Sequence, residues 1–187
     1  MRRLTAGLFS SVDGVVEDPH LWQLDSFDDE LGAGMGAMIS RVDTVLLGRR
    51  GYEEWAQYWP AAEAADPFGA FINPVEKFVA SRSLSGPLGW TNASLMDRPL
   101  EDFVRALKQT EGGDIAVCAS ISLVRRLMFA GLLDSLTLMI HPVVAGAGRH
   151  LFEAADPVTR LELQEVTTTS RGNVLASYGL RAGSVGE

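Results

Sequence analysis

Apolar residues fall along the chain in short blocks separated by glycine, proline and aspartate, and the spacing within each block predicts its element. Leu4 to Val12 is apolar and small, and it stops at Asp13-Gly14, a strong turn pair, before Val15-Val16 resumes. This predicts a buried first strand followed by a turn. From Asp25 to Arg41, Phe27, Leu31, Met35, Met38 and Ile39 recur at helical spacing. Asp28, Asp29 and Glu30 occupy the first turn, where the helix dipole favours negative charge. Val42 to Leu47 reads as a second buried strand, which Gly48-Arg49-Arg50-Gly51 hands to a helix beginning near Tyr52. Residues 60–76 predict a loop with a helical fragment, and short strands follow at Lys77 to Ala80 and Thr91 to Met96.

Leu100, Phe103, Val104 and Leu107 stand at i, i+3, i+4 and i+7, the mark of a helix covering a sheet. Ile115 to Cys118 is an apolar strand, Ser120 or Ser122 can cap a helix ended by Gly131, and Ser135 to His141 is another strand. Such a crossover makes the two strands parallel and the connection right-handed. Leu161 to Thr169 and Asn173 to Leu180 alternate and predict an antiparallel hairpin around Ser170-Arg171-Gly172. The expected fold is α/β, a mixed and mostly parallel sheet flanked by helices, closed by that hairpin, in a single domain over residues 1–187.

Composition narrows the function classes. The chain has 187 residues, 47% of them apolar, with a formal charge of -8, so disorder is excluded and long-range attraction to nucleic acid or anionic lipid is opposed. Cys118 has no partner, which rules out a disulfide-stapled secreted fold. The Arg2-Arg3 start lacks a cleavage pattern, and no apolar run of about 18 residues could span a membrane. The expectation is a cytoplasmic protein acting on a small molecule, with neither nucleic acid nor membrane as partner.

Motifs narrow them further. Gly32-Ala33-Gly34-Met35-Gly36-Ala37 matches a relaxed dinucleotide string but lies inside a predicted helix, so it is assigned to close helix packing. Gly146-Ala147-Gly148 reads as a turn. There is no Walker A lysine pattern, no H-E-x-x-H, no G-x-S-x-G, and no ligand-like spacing among His20, His141 and His150, so no metal is expected. What remains lies at strand ends, where open α/β sheets bind ligands: Gly48-Arg49-Arg50-Gly51, Ser81-Arg82-Ser83, and Ser120 with Ser122. Each alone fits a helix cap or a solvated arginine; together they could gather phosphates.

These pieces, with Ser11-Val12-Asp13-Gly14, Lys77 to Leu84 and the stretch from Gly112 to Phe152, resemble the dihydrofolate reductase-like superfamily. The similarity is to stand-alone relatives of the C-terminal reductase domain of the riboflavin-biosynthesis deaminase-reductase. Ala130-Gly131-Leu132-Leu133-Asp134 and Pro142-Val143-Val144-Ala145-Gly146-Ala147-Gly148 carry much of it. The resemblance implies a homodimeric, NADPH-dependent reductase passing hydride to a small nitrogen heterocycle, of pterin or 5-amino-6-(5-phosphoribosylamino)uracil type. By position, Gly48, Arg49 and Arg50 would meet cofactor phosphates, Ser81 and Arg82 the adenosine 2′-phosphate, and Cys118, Ala119, Ser120 and Leu123 the pyrophosphate and nicotinamide.

Two positions depart from the family pattern: Gly51 stands for the usual Thr and Ala119 for the usual Gly. They imply weakened binding or a shifted cofactor, and hence an alternative reading as a nucleotide-binding protein with reduced catalysis. Asp13 and Asp28 are the candidate proton donors, since a carboxyl buried beside a nicotinamide has its pKa raised. Asp13 equally fits a turn former and Asp28 a helix cap. Trp22 and Tyr52, with Trp55, could wall a flat substrate or lie in the core.

Overall fold

The apolar blocks of the sequence become the strands of one eight-stranded sheet, seen in a computed structural model that describes residues 1–63 and 65–185, the last five as backbone only. The strands are β1 (Leu4–Ser10), β2 (Val42–Gly48), β3 (Glu76–Ala80), β4 (Ala93–Leu95), β5 (Asp114–Cys118), β6 (Ser135–Ile140), β7 (Thr159–Thr168) and β8 (Val174–Val185). Their order is β4-β3-β2-β5-β1-β6-β8-β7, parallel from β4 to β6 and antiparallel in β6-β8 and β8-β7. The predicted crossover places β5 and β6 parallel on either side of β1, and the predicted hairpin forms the end of the sheet.

The helices are α1 (Pro19–Trp22), α2 (Asp29–Ile39), α3 (Arg49–Tyr58), α4 (Pro67–Ile72), α5 (Leu100–Lys108) and α6 (Ile121–Phe129), with a 3-10 turn at Trp59–Ala61. One sheet face buries Leu4, Ala6, Leu46, Ile115, Val117 and Leu136 against α5 and α6. On the other face, Val45, Leu47 and Val79 are covered by Tyr52 of α3 and Ile72 of α4. Lys77 of β3 is fully buried, but its ammonium donates to the Ile72, Asn73 and Val75 carbonyls and closes the end of α4.

Two helix starts differ from the sequence reading. α3 begins at Arg49 rather than near Tyr52, because Gly48 is extended and acts as the N-cap, which puts both arginines in the first helical turn. α2 begins at Asp29 rather than Asp25, because the Asp28 carboxylate accepts the Leu31 amide and fixes the start there. Within α2, a Cβ on Gly34 would lie 2.6 Å from Leu175 of β8, so the packing role holds at that glycine; Gly36 faces open space.

Candidate functional site

Phosphate-sized ligands meet parallel sheets where strands end and helices begin. β2 and β5 are neighbours, with Leu47 beside Cys118, so α3 and α6 start next to each other. Ser120 caps α6 through its hydroxyl. A Cβ on Gly48 would lie 2.6 Å from the Ser120 Oγ, and one on Gly51 2.6 Å from the Ala119 Cβ and closer still to its carbonyl oxygen. Ala119 itself is left-handed, at φ 47°. The two departures therefore interlock: the bare Gly51 makes the room that the Ala119 side chain and carbonyl occupy.

This junction opens into a cleft of about 1350 Å³ that runs along the sheet between α2 on one side and α3 with α4 on the other. Gly48, Arg49, Arg50, Gly51, Cys118, Ala119 and Ser120 line it. Arg49 pairs with Glu53 one turn along at 2.8 Å. Arg50 has no ion pair among the described residues and stays available. Burial pushes the Cys118 thiol up to about 12, so it is neither nucleophile nor acid at neutral pH. The Trp59 indole N–H, in a residue on the cleft wall, is buried without a hydrogen-bond partner.

The other sequence candidates lie elsewhere. Gly48 pairs with Ala80 across β2 and β3, so Ser81-Arg82 emerges beside the start of α3. It is outside the cleft lining, the Ser81 hydroxyl accepts the Ser83 and Leu84 amides, and Arg82 is exposed. Leu123 is buried behind Gly48. Trp22 and Tyr52 belong to the core and form no aromatic wall: Trp22 donates to the Glu17 carbonyl and stands edge-on to His141, while Tyr52 packs with Val45 and Trp90. Trp55 does line the cleft.

Neither carboxylate is set up as a proton donor. Asp13 accepts the Ala145 and Gly146 amides at 2.9 and 2.8 Å, and hydrogen bonds from Ser11 and these amides hold its pKa at about 2. Its work is to clasp the turn after β1 to the predicted Gly146-Ala147-Gly148 turn, where both glycines have positive φ. For Asp28, burial pulls the pKa upward, but hydrogen bonds from Thr169, Leu31 and Asn173 outweigh it and the net shift is downward. Both corrections have one cause: a carboxylate saturated by donors stays ionised.

His141, fully buried, is sealed in a small ring of hydrogen bonds. The Ser26 hydroxyl donates to the Gln23 carbonyl and so accepts from His141 Nδ1, while the Gln23 amide donates to Nε2. That ring fixes a neutral imidazole and pins the segment after α1, next to the cleft-lining Glu17, Asp18 and His20. Asp18 is left-handed at φ 44°.

The sequence reading missed the floor. β1 is an interior strand, yet Gly7 is exposed on it, with Thr5 and Phe9 on the same face. Met38 of α2 and Met139 of β6 bring their methyl groups to 3.5 Å from where a Gly7 Cβ would stand. A glycine inside an apolar strand is the signal that could have found it.

Comparison with solved structures places this arrangement in the dihydrofolate reductase-like fold. A Shewanella sp. PV-4 protein assigned to riboflavin biosynthesis matches with a TM-score of 0.77 at 16% identity, over 96% of this chain and 99% of that one. Dihydrofolate reductase from Enterococcus faecalis, solved with NADP(H), matches with a TM-score of 0.61 at 12% identity, covering 96% of each chain. The bifunctional deaminase and 5-amino-6-(5-phosphoribosylamino)uracil reductase of Thermotoga maritima matches at 0.66 and 14% identity, over 96% of this chain and 57% of that one.

The RibD C-terminal domain pattern matches residues 2–175, and the chain belongs to that family. It is 29% identical over 180 residues to the uncharacterized protein YyaP of Bacillus subtilis, covering 95% of this chain and 94% of that one. Among the described residues no helix is long and apolar enough to cross a membrane, and no cluster of three or more metal-ligating side chains occurs.

The residues at the α3–α6 junction fit a dinucleotide. The glycines at 48 and 51 let Ser120 and Ala119 pack close, which brings two helix starts with their N–H groups together, and Arg50 supplies charge.

Proposed function

We propose that this protein is a cytoplasmic, homodimeric reductase that uses NADPH to reduce a small nitrogen heterocycle in the cleft above β1 and β5. The observation that carries this reading is the meeting of two helix N-termini, with the unpaired Arg50, at the mouth of a cleft floored by the sheet. When bound, the reduced nicotinamide supplies hydride. Gly48, Arg49, Arg50, Ala119 and Ser120 hold the phosphates, and Cys118 offers a neutral surface beside them. Arg82, free on the neighbouring strand end, reaches the 2′-phosphate. With Asp13 and Asp28 saturated by donors, the proton that completes the reduction comes from water in the open cleft.

The test is a parallel titration with NADPH and NADH, followed by nicotinamide fluorescence and by the rise in Tm that binding to the native state requires. Saturable binding that favours NADPH is expected, and Arg82→Ala should weaken NADPH by roughly tenfold while leaving NADH unchanged. Binding of neither overturns the reading. The commitment of both carboxylates elsewhere favours one alternative, a nucleotide-binding protein of the same fold with weakened catalysis. It is distinguished by NADPH binding without NADPH consumption in the presence of pterin or pyrimidine acceptors.

A further inference from the structure

The cleft wall opposite α2 is aromatic, and the Trp59 ring in it has no polar anchor. Trp55, Trp59 and Phe68 line that side, with the Trp59 ring 6.0 Å from Trp55 and 4.9 Å from Phe68. The Trp59 indole N–H is buried without an acceptor, so only packing orients the ring. The polar tie between this residue and α4 is its backbone carbonyl, which accepts the Asn73 side-chain amide at 2.9 Å.

Asn73 is held in turn from two directions. Its side-chain oxygen accepts the Trp90 indole N–H at 3.0 Å, and its backbone carbonyl accepts the Lys77 ammonium at 2.9 Å. Lys77 is fully buried and has no ion pair among the described residues. Its three N–H groups go to the Ile72, Asn73 and Val75 carbonyls, and its nitrogen lies 4.6 Å from the centre of the Trp90 ring. The carbonyl between them, on Pro74, accepts the Asn92 side-chain amide. Water or a glycine turn satisfies the end of most helices, and an unpaired buried charge is a costly substitute. What the ammonium adds is reach: one group grips the end of α4, the Asn73 that holds Trp59, and the face of the Trp90 that holds Asn73.

We propose that Lys77 is a positioning residue for the cleft: its buried ammonium, acting through Asn73, sets where Trp59 stands in the aromatic wall. The inference goes beyond the reductase reading and is independent of what the cleft binds. Removing the charge leaves two N–H groups for three carbonyls and ends the attraction to the Trp90 face, so the turn regroups and Asn73 moves with it. Facing Lys77 are Val45 of β2, Ala93 of β4, the carbonyls at the end of α4, and Trp90. Glu76, next along β3, is exposed on the opposite face, and the Tyr52 hydroxyl reaches the Trp90 backbone N–H. Burial, opposed by no carboxylate, pulls Lys77 down to about 8. Above that value the folded chain has shed a proton that the unfolded chain keeps, so discharging this group does not destabilise the fold. A change read there on its account is a local rearrangement and not unfolding.

The test follows the four tryptophan indole N–H signals of the 15N-labelled full chain between about pH 6.5 and about pH 9.5, assigned by single Trp→Phe variants. In the wild type, the Trp90 and Trp59 signals are expected to move together with one midpoint near pH 8. Trp22, which packs on His141 away from this turn, should stay in place. Lys77→Met, of similar length and without the charge, should hold both signals fixed across the range. Asn73→Ala keeps the ammonium over Trp90, so the Trp90 signal should still titrate while that of Trp59 no longer does. If Lys77→Met does not fold, the wild type and Asn73→Ala decide the matter. A Trp90 signal that titrates while Trp59 stays still would reduce Lys77 to a helix cap and overturn the proposal. So would two signals that never move, movement of all four tryptophans together, or an unchanged Trp59 titration in Asn73→Ala.

Discussion

Gly51 and Ala119 show how a single pair of residues shapes the mouth of the cleft. Taken one at a time, a missing Thr hydroxyl and an added Cβ both look like damage to a nucleotide site. In the structure they are one substitution in two places, since the Gly51 backbone lies against the Ala119 side chain and carbonyl. Gly51→Thr alone should therefore overpack the junction, costing about 1–3 kcal/mol in denaturant unfolding and weakening NADPH binding. Ala119→Gly alone removes a left-handed alanine and should be neutral or slightly stabilising. The double variant should recover part of the loss, and a strictly additive result would contradict the interlock. Asp13 teaches the same lesson from chemistry: its turn was readable in Asp13-Gly14, but the amides of Ala145 and Gly146 that hold it ionised lie far along the chain.

At the scale of elements, the loop carrying α1 is held from inside by His141. Burial keeps this imidazole below its ordinary pKa, with the Asp28 charge pulling weakly the other way. Other groups around it are Phe9, Trp22, Gln23 and Ser26, none of them charged. Between the ordinary value of 6.5 and the lower folded value, the unfolded chain binds a proton that the folded one does not. Stability therefore falls as pH drops below about 6.5, and is fully present above it. The expected result is a urea midpoint that declines with acid in the wild type and declines less in His141→Asn, which cannot take up the proton. A parallel decline in both would place the acid sensitivity elsewhere. α3 makes a related point, because starting at Arg49 rather than three residues later turns two loop arginines into first-turn residues facing the cleft.

For the molecule as a whole, the strands were legible because buried blocks such as Val42 to Leu47 and Ser135 to His141 announce themselves by composition. The parallel crossover and the closing hairpin followed from the order of those blocks. Less legible was which face each block turns to a partner distant in sequence. Trp22 and Tyr52 were indistinguishable from wall residues until Glu17, His141 and Trp90 were seen to engage them. The mouth at the α3–α6 junction could be read because it is built from contiguous residues at strand ends. The bare floor at Gly7 could not, because β1, α2 and β6 meet there and its one local signal is the absence of a side chain.

The bare stretch of β1 separates two properties that usually travel together, contact with water and the lifetime of a backbone hydrogen. From Thr5 to Gly7 the strand is wetted from the cleft, yet β6 pairs along it and β5 pairs with it as far as Ala6. Solvent at the surface gives no route to these amides; only separation of the strands does. In deuterated buffer their exchange should be among the slowest in the protein, governed by global unfolding, and occupation of the cleft should slow it only by as much as it stabilises the whole fold. A ligand that protected β1 beyond that amount would show that the sheet opens along this strand while the molecule is still folded.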